Sequence, residues 1–148
     1  VCFAILDLDF FKQVNDLYGH AIGDSVLCYM GQLLNRSLRS EDTVARWGGE
    51  EFVVGMYGMG KQEGVQRLST ILSALHQEKF AAPDGRQFHV TFSAGVAQYP
   101  EDGVDLQALY CAADIALYQA KKAGRDRVLP TTTEITPADP VNITAQSY

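Results

Sequence analysis

Four carboxylates in this chain stand where they could hold a divalent cation. Asp7 and Asp9 are two apart at the end of an apolar run, Val1-Cys2-Phe3-Ala4-Ile5-Leu6. In an extended strand that spacing turns both side chains to the same face. Glu50 and Glu51 follow directly on Gly48-Gly49, within Arg46-Trp47-Gly48-Gly49-Glu50-Glu51-Phe52-Val53-Val54. A tight turn with paired acids at its tip can be brought beside the end of an acid-bearing strand. The two segments then supply hard oxygen ligands, and waters and substrate phosphates can fill the shell of a magnesium ion with its nucleotide. Spacing alone leaves a plainer alternative open, in which Asp9 starts a turn and Asp7 caps a helix.

The elements that must position these acids follow from periodicity. The opening apolar run fits a buried central strand. Because a domain rarely begins with its central strand, a leading segment is expected upstream of Val1. Gly19 to Gly23 punctuates the chain. Asp24 is then placed to cap a helix that runs to about Arg39, with Val26, Leu27, Met30, Leu33, Leu34 and Leu38 on its apolar stripe. Thr43 to Trp47 and Phe52 to Tyr57 read as a hairpin around Gly48-Gly49, where glycine admits the positive φ of a tight turn. Val65, Leu68, Ile71, Leu72 and Leu75 mark a second helix, and Pro83-Asp84-Gly85 is a turn signal. Phe88 to Tyr99 is strand-like. Leu106, Leu109, Tyr110, Ala113, Ala116, Leu117 and Ala120 mark a third helix ending near Gly124, with Arg127-Val128-Leu129 as a last edge strand. Tyr110 and Tyr118 read as core residues of that helix. The expected fold class is α+β, a single central β-sheet flanked by helices. The expected domain covers residues 1–129, and 130–148 form a Pro/Thr-rich tail or linker.

Composition bounds the function. A chain of 148 residues with 47% hydrophobic and 20% charged content suits one globular domain. No apolar run approaches the ~20 residues that span a bilayer. The expected location is cytoplasmic, and a membrane anchor elsewhere in a full-length protein is compatible with that. The three cysteines, Cys2, Cys28 and Cys111, lack metal-ligand spacing and read as buried small hydrophobes. His20, His76 and His89 also lack metal spacing and read as structural. A net charge of −6 argues against a nucleic-acid surface. Any phosphate site must therefore be local, built from a few cations and backbone N–H groups.

An ordered set of blocks resembles the GGDEF family, the diguanylate cyclases, in a Gly-Gly-Glu-Glu-Phe variant. The blocks are Leu6 to Asp16, Tyr18-Gly19-His20, Gly23-Asp24, Arg46 to Phe52, Phe92 to Ala97, and Ala113 to Lys121 with Gly124-Arg125. They span about residues 1 to 128. The resemblance implies a nucleotide-cyclase or polymerase-palm-like sheet with the Gly-Gly-Glu-Glu-Phe turn on a β-hairpin. It implies that two GTP are condensed to cyclic di-GMP, with pyrophosphate released, across two facing domains of a homodimer. Mg²⁺ or Mn²⁺ would be held by Asp7, Glu50 and the backbone carbonyl of Leu8. Glu50 and Glu51 would be catalytic, Glu51 acting on the metal or on the reacting hydroxyl. Phe10, Phe11, Lys12, Lys121 and Arg125 would bind phosphates.

Asn15 and Asp24 would read guanine, whose adjacent N1–H and N2–H a carboxylate accepts together; adenine lacks that pair of donors. Lys121 and Arg125, four apart, would share a helix face if the helix persists. Arg39-Ser40-Glu41-Asp42 matches the family's Arg-x-x-Asp inhibitory site, which would place Arg39 and Asp42 on bound product. Trp47 stands where the family usually carries tyrosine. The family's Asp-x-Leu-Thr-Gly-Leu-x-Asn-Arg segment would precede Val1. The expected partners are GTP, cyclic di-GMP, a second such domain, an upstream sensory or dimerisation domain, and a further domain beyond the tail. Two alternatives stay open. One is a non-catalytic sensor of GTP or cyclic di-GMP that regulates an attached effector or phosphodiesterase. The other is a template-directed polymerase palm, which the charge and small size disfavour.

Overall fold

The computed structural model describes residues 1–132. The tail beyond that point, expected as a linker, lies outside the described residues. In chain order the elements are β1 (Cys2–Leu8), α1 (Phe11–Tyr18), α2 (His20–Ser37), β2 (Thr43–Gly48), β3 (Glu51–Met56) and α3 (Lys61–His76). They continue with β4 (Phe80–Ala81), β5 (Gln87–Phe88), β6 (Phe92–Gln98), α4 (Leu106–Lys122) and β7 (Arg127–Pro130).

Because β1 is apolar toward both faces, it takes the middle of a five-stranded sheet of order β2-β3-β1-β6-β7. It pairs antiparallel with β3 and with β6, and β7 joins β6 in parallel as an edge strand. One face carries α2 and α3. There Met30, Leu34, Leu68 and Leu75 pack with Leu6, Val54, Met56 and Phe92. The other face carries α4, whose Leu109, Ala113 and Leu117 meet Ile5 and Ala97. Gly95 sets how closely α4 can lie. A Cβ there would be 2.1 Å from the Ala113 carbonyl oxygen and 2.4 Å from the Leu117 nitrogen. This is the α+β sheet with flanking helices expected from the sequence.

The strand directions bring the chemistry to one end of the sheet. The end of β1 meets the starts of β3, β6 and β7, so Asp7 lies opposite Glu51 on one side and Ser93 on the other.

Several local expectations are corrected. The first long helix starts at His20, not Asp24, with Gly19 (φ 96°) as its N-cap; Asp24 lies inside the helix and caps nothing. The turn after β1 is followed at once by a short helix, α1, which eight residues were too few to announce by periodicity. Phe88 to Tyr99 is not one strand: β5 pairs with β4 around the Pro83-Asp84-Gly85 turn, and β6 begins only at Phe92. Neither Gly48 nor Gly49 has positive φ. The turn is accommodated instead by a register slip between Arg46 and Gly48, and the Arg46 Nε donates to the carbonyls of both glycines. Of the cysteines only Cys2 is buried; Cys28 and Cys111 are exposed, and all three are free thiols.

Candidate functional site

Asp7 occupies the last position but one of β1, buried, with its Oδ2 accepting from Lys121 Nζ at 2.5 Å. It therefore caps no helix. Burial pushes its carboxyl above the ordinary range, against the pull of Lys121. Glu50 stands at the hairpin tip, and its carbonyl oxygen accepts from Leu8 N at 3.2 Å, so the two acid-bearing segments are stitched together by backbone. Glu50 is raised by burial and then by the Asp7 charge. Glu51 is raised by burial, although Tyr110 donates to its Oε1 at 2.7 Å; Asp7 and Asp114 push it further.

Burial first, and then neighbouring carboxylates, disfavour ionisation of all three carboxyls despite Lys121. This is the environment that a divalent cation relieves. Among the described residues no cluster of three or more His, Cys, Asp or Glu side chains forms a ready-made metal cage. The donor set fits an ion that takes two carboxylates and a carbonyl from the protein and the rest from phosphate and water.

Asp9 plays a different part. Its buried carboxylate accepts from Thr91 Oγ1 (2.7 Å), Ser93 Oγ (2.7 Å) and Asp126 N (3.0 Å), with Arg125 Nη1 at 3.9 Å. Around it stand the three non-glycine residues of positive φ, Phe10, Arg125 and Asp126. Asp9 holds two of them directly, Asp126 through its backbone N–H and Arg125 through its guanidinium. Asp9 lies in the turn just beyond β1; it meets Asp126 and Arg125 in the loop after α4, while Asp7 meets Lys121 in α4 itself.

Phe10, Phe11 and Lys12 begin α1, where the first N–H groups of a helix lack intrahelical acceptors and favour an anion. Lys121 is still helical, but α4 ends at Lys122 and Arg125 lies beyond it in the left-handed region (φ 64°). The two cations therefore do not share a helix face. The loop returns Arg125 to the site, with its guanidinium 4.8 Å from the Phe10 ring centre.

Asn15 packs against Gly23, the residue before Asp24. A Cβ at Gly23 would lie 1.9 Å from the Asn15 Oδ1, so the Asn15 amide keeps its present position only beside a glycine. Asp24, exposed, lines a cleft of about 490 Å³ between α2 and the hairpin, with Leu27, Cys28, Gln32, Arg46 and Phe52. That volume suits a nucleobase with part of its sugar.

Arg39 and Asp42 lie elsewhere, at the opposite end of the hairpin from its turn. Arg39 donates to Asp42 through N, Nε and Nη2, and also to the Tyr57 carbonyl; Tyr57 N donates to Asp42 Oδ1 at 3.2 Å. Burial acts to raise Asp42, but these donors outweigh it and hold its carboxyl below the usual range.

Sequence reasoning missed Tyr110, which is half-buried and bonded to Glu51 rather than a plain core residue. It also missed the cleft wall formed by Cys28, Gln32 and Arg46. A phenol in an apolar helical stripe carries no signal of what its hydroxyl meets.

Residues 1–127 match the family described as "Diguanylate cyclase, GGDEF domain". The chain belongs to the GGDEF domain family. It is 39% identical over 124 residues to Diguanylate cyclase A of Treponema denticola, covering 84% of this chain and 33% of that protein. To Diguanylate cyclase DgcP of Pseudomonas aeruginosa it is 41% identical over 125 residues, covering 84% of this chain and 18% of that protein. The chain thus spans a third or less of these relatives. The solved GGDEF domain of DgcB from Caulobacter crescentus, in complex with c-di-GMP, superposes with a TM-score of 0.80 at 30% identity over 87% of this chain and 76% of that one. The GGDEF fold inferred from the ordered sequence blocks is the fold observed.

Proposed function

We propose that this GGDEF domain is the catalytic half-site of a diguanylate cyclase, which condenses two GTP into cyclic di-GMP and releases pyrophosphate. The observation that carries this reading is the convergence of Asp7, Glu50 and Glu51 with Lys121 and Arg125 at one end of the sheet, next to a base-sized cleft carrying Asp24. A sensor that only held nucleotide would have less need of three mutually repelling carboxyls.

Asp7, Glu50 and the Leu8 carbonyl would hold Mg²⁺ or Mn²⁺. When bound, the ion supplies charge neutralisation at the phosphates and alignment of the reacting groups. The protein's own groups do the rest. The N–H groups at the start of α1, with Lys12, Lys121 and Arg125, receive the phosphates. Asp24 would accept from the guanine edge and Asn15 would pair beside it, and adenine, which lacks guanine's pair of donors, would leave Asp24 facing lone pairs. Glu51 would act on the metal or on the reacting hydroxyl. Each domain binds one GTP, so the 3′-hydroxyl of one must meet the α-phosphorus held by a second copy. Arg39 and Asp42 would form the product-inhibition site. Their position away from the turn supports a site that product can occupy while substrate remains bound. The unit 1–129 would work on the cytoplasmic side, joined to sensory or effector domains by its flanking segments.

Incubation of the full chain with GTP and Mg²⁺, followed by identification of the nucleotide by mass, tests the reading. Cyclic di-GMP is expected. GTP bound but unchanged would leave a sensor, and a linear oligonucleotide would indicate a polymerase.

A further inference from the structure

Tyr110 is bound into the site more firmly than a core tyrosine needs to be. Its ring lies 6.3 Å from that of Phe3 on β1 and 6.1 Å from that of Trp47 on β2. These contacts bridge α4 to two strands and fix the direction of the phenol. Its hydroxyl donates to Glu51 Oε1 at 2.7 Å, a short bond to a charged acceptor. Glu51 in turn lies opposite Asp7 in the β1–β3 register, at the reaction end of the sheet.

A glutamate has three side-chain torsions, and one half-buried among like charges has reason to swing away from them. One oxygen tied to a rigid phenol removes most of that freedom and leaves the other for the reaction. Burial and the Glu51 charge push the Tyr110 hydroxyl well above its ordinary pKa, so it stays a donor and takes no part as a base.

We infer that Tyr110 is a positioning residue, which fixes the Glu51 carboxylate through its hydroxyl so that the second oxygen faces the reacting groups. The inference rests on the cyclase reading but extends it to a residue on α4, outside the acid-bearing segments. It also gives Trp47 a purpose, since that ring is one of the two that hold Tyr110 in place.

Tyr110→Phe removes the hydroxyl and keeps the ring. A hydrogen bond to a charged group is worth about tenfold to a hundredfold in rate when it acts in the transition state. The variant is expected to lose kcat by that factor while KM for GTP stays within about twofold and the thermal midpoint is nearly unchanged. Mn²⁺ affinity, measured by titration of the full chain with a non-hydrolysable GTP analogue present, gives a second readout that needs no turnover. Tyr110→Phe should weaken it in the wild-type background and leave it unaltered in a Glu51→Ala background, where there is no carboxylate to position. If the wild-type chain makes no cyclic di-GMP, the cyclase reading fails and this affinity pattern still decides the role of Tyr110. Wild-type kcat together with wild-type Mn²⁺ affinity in Tyr110→Phe would overturn the inference, as would an equal loss of affinity with and without Glu51.

Discussion

Glu50 is half-buried beside Asp7, and its raised pKa follows from burial and then from that neighbour. The same direction holds for Asp7 and Glu51. A carboxyl raised in the folded state stabilises the fold fully below its unfolded pKa, and that contribution is lost as pH rises through the folded value. The metal-free domain therefore carries a penalty at pH 7 from all three groups. Glu50→Gln should raise its thermal midpoint at pH 7 by about 1–3 °C, with the gap closing near pH 4. The same variant should lower cyclic di-GMP synthesis by at least about a hundredfold, as loss of an electrostatic group at a reaction centre does. Thermal melts across pH and a turnover assay check both halves. At the distant pair, Arg39→Ala should weaken cyclic di-GMP binding by about tenfold or more, read by calorimetry; unchanged affinity would rule out that site. These acids were legible in the sequence because adjacency to Gly-Gly and spacing along a strand are local properties. The Lys121 contact to Asp7 spans 114 residues and was reachable only through the family resemblance.

At the scale of elements, the α1–α2 junction is the most exacting. On the proposed reading Asn15 and Asp24 act on one base, and Gly23 leaves the room that the Asn15 amide occupies. Gly23→Ala would push that amide away, so KM for GTP is expected to rise by about tenfold with a smaller change in kcat at saturation, measured by steady-state kinetics. The long helices and the hairpin were legible because apolar period and glycine punctuation survive tertiary packing. Helix starts were less so. Asp24 looked like a cap because aspartate favours that position, but the chain had already turned helical at His20 after Gly19. Arg125 could not be placed from spacing, since the turn that returns it to the site uses left-handed backbone at Arg125 and Asp126. That conformation is set by the long-range acceptor Asp9 and not by local preference.

At the scale of the whole molecule, a chain of net charge −6 gathers Lys121 and Arg125 at one end of the five-stranded sheet, where the proposed function has them bind phosphate. On the proposed reading the arrangement serves one nucleotide, and the second arrives on another copy. Catalysis should then depend on encounter between domains, with specific activity that rises with protein concentration until dimers are saturated. The strand order that makes this possible was not legible beyond its class. Alternation and apolar runs announce strands, but which strand lies next to which is settled by pairings such as Asp7 with Glu51 and Ser93. The most direct measurement is the identity and rate of the nucleotide formed from GTP and Mg²⁺ over a range of dilutions of the full chain. The account expects cyclic di-GMP, formed with a specific activity that falls on dilution. GTP recovered unchanged at every concentration, though bound, would contradict it.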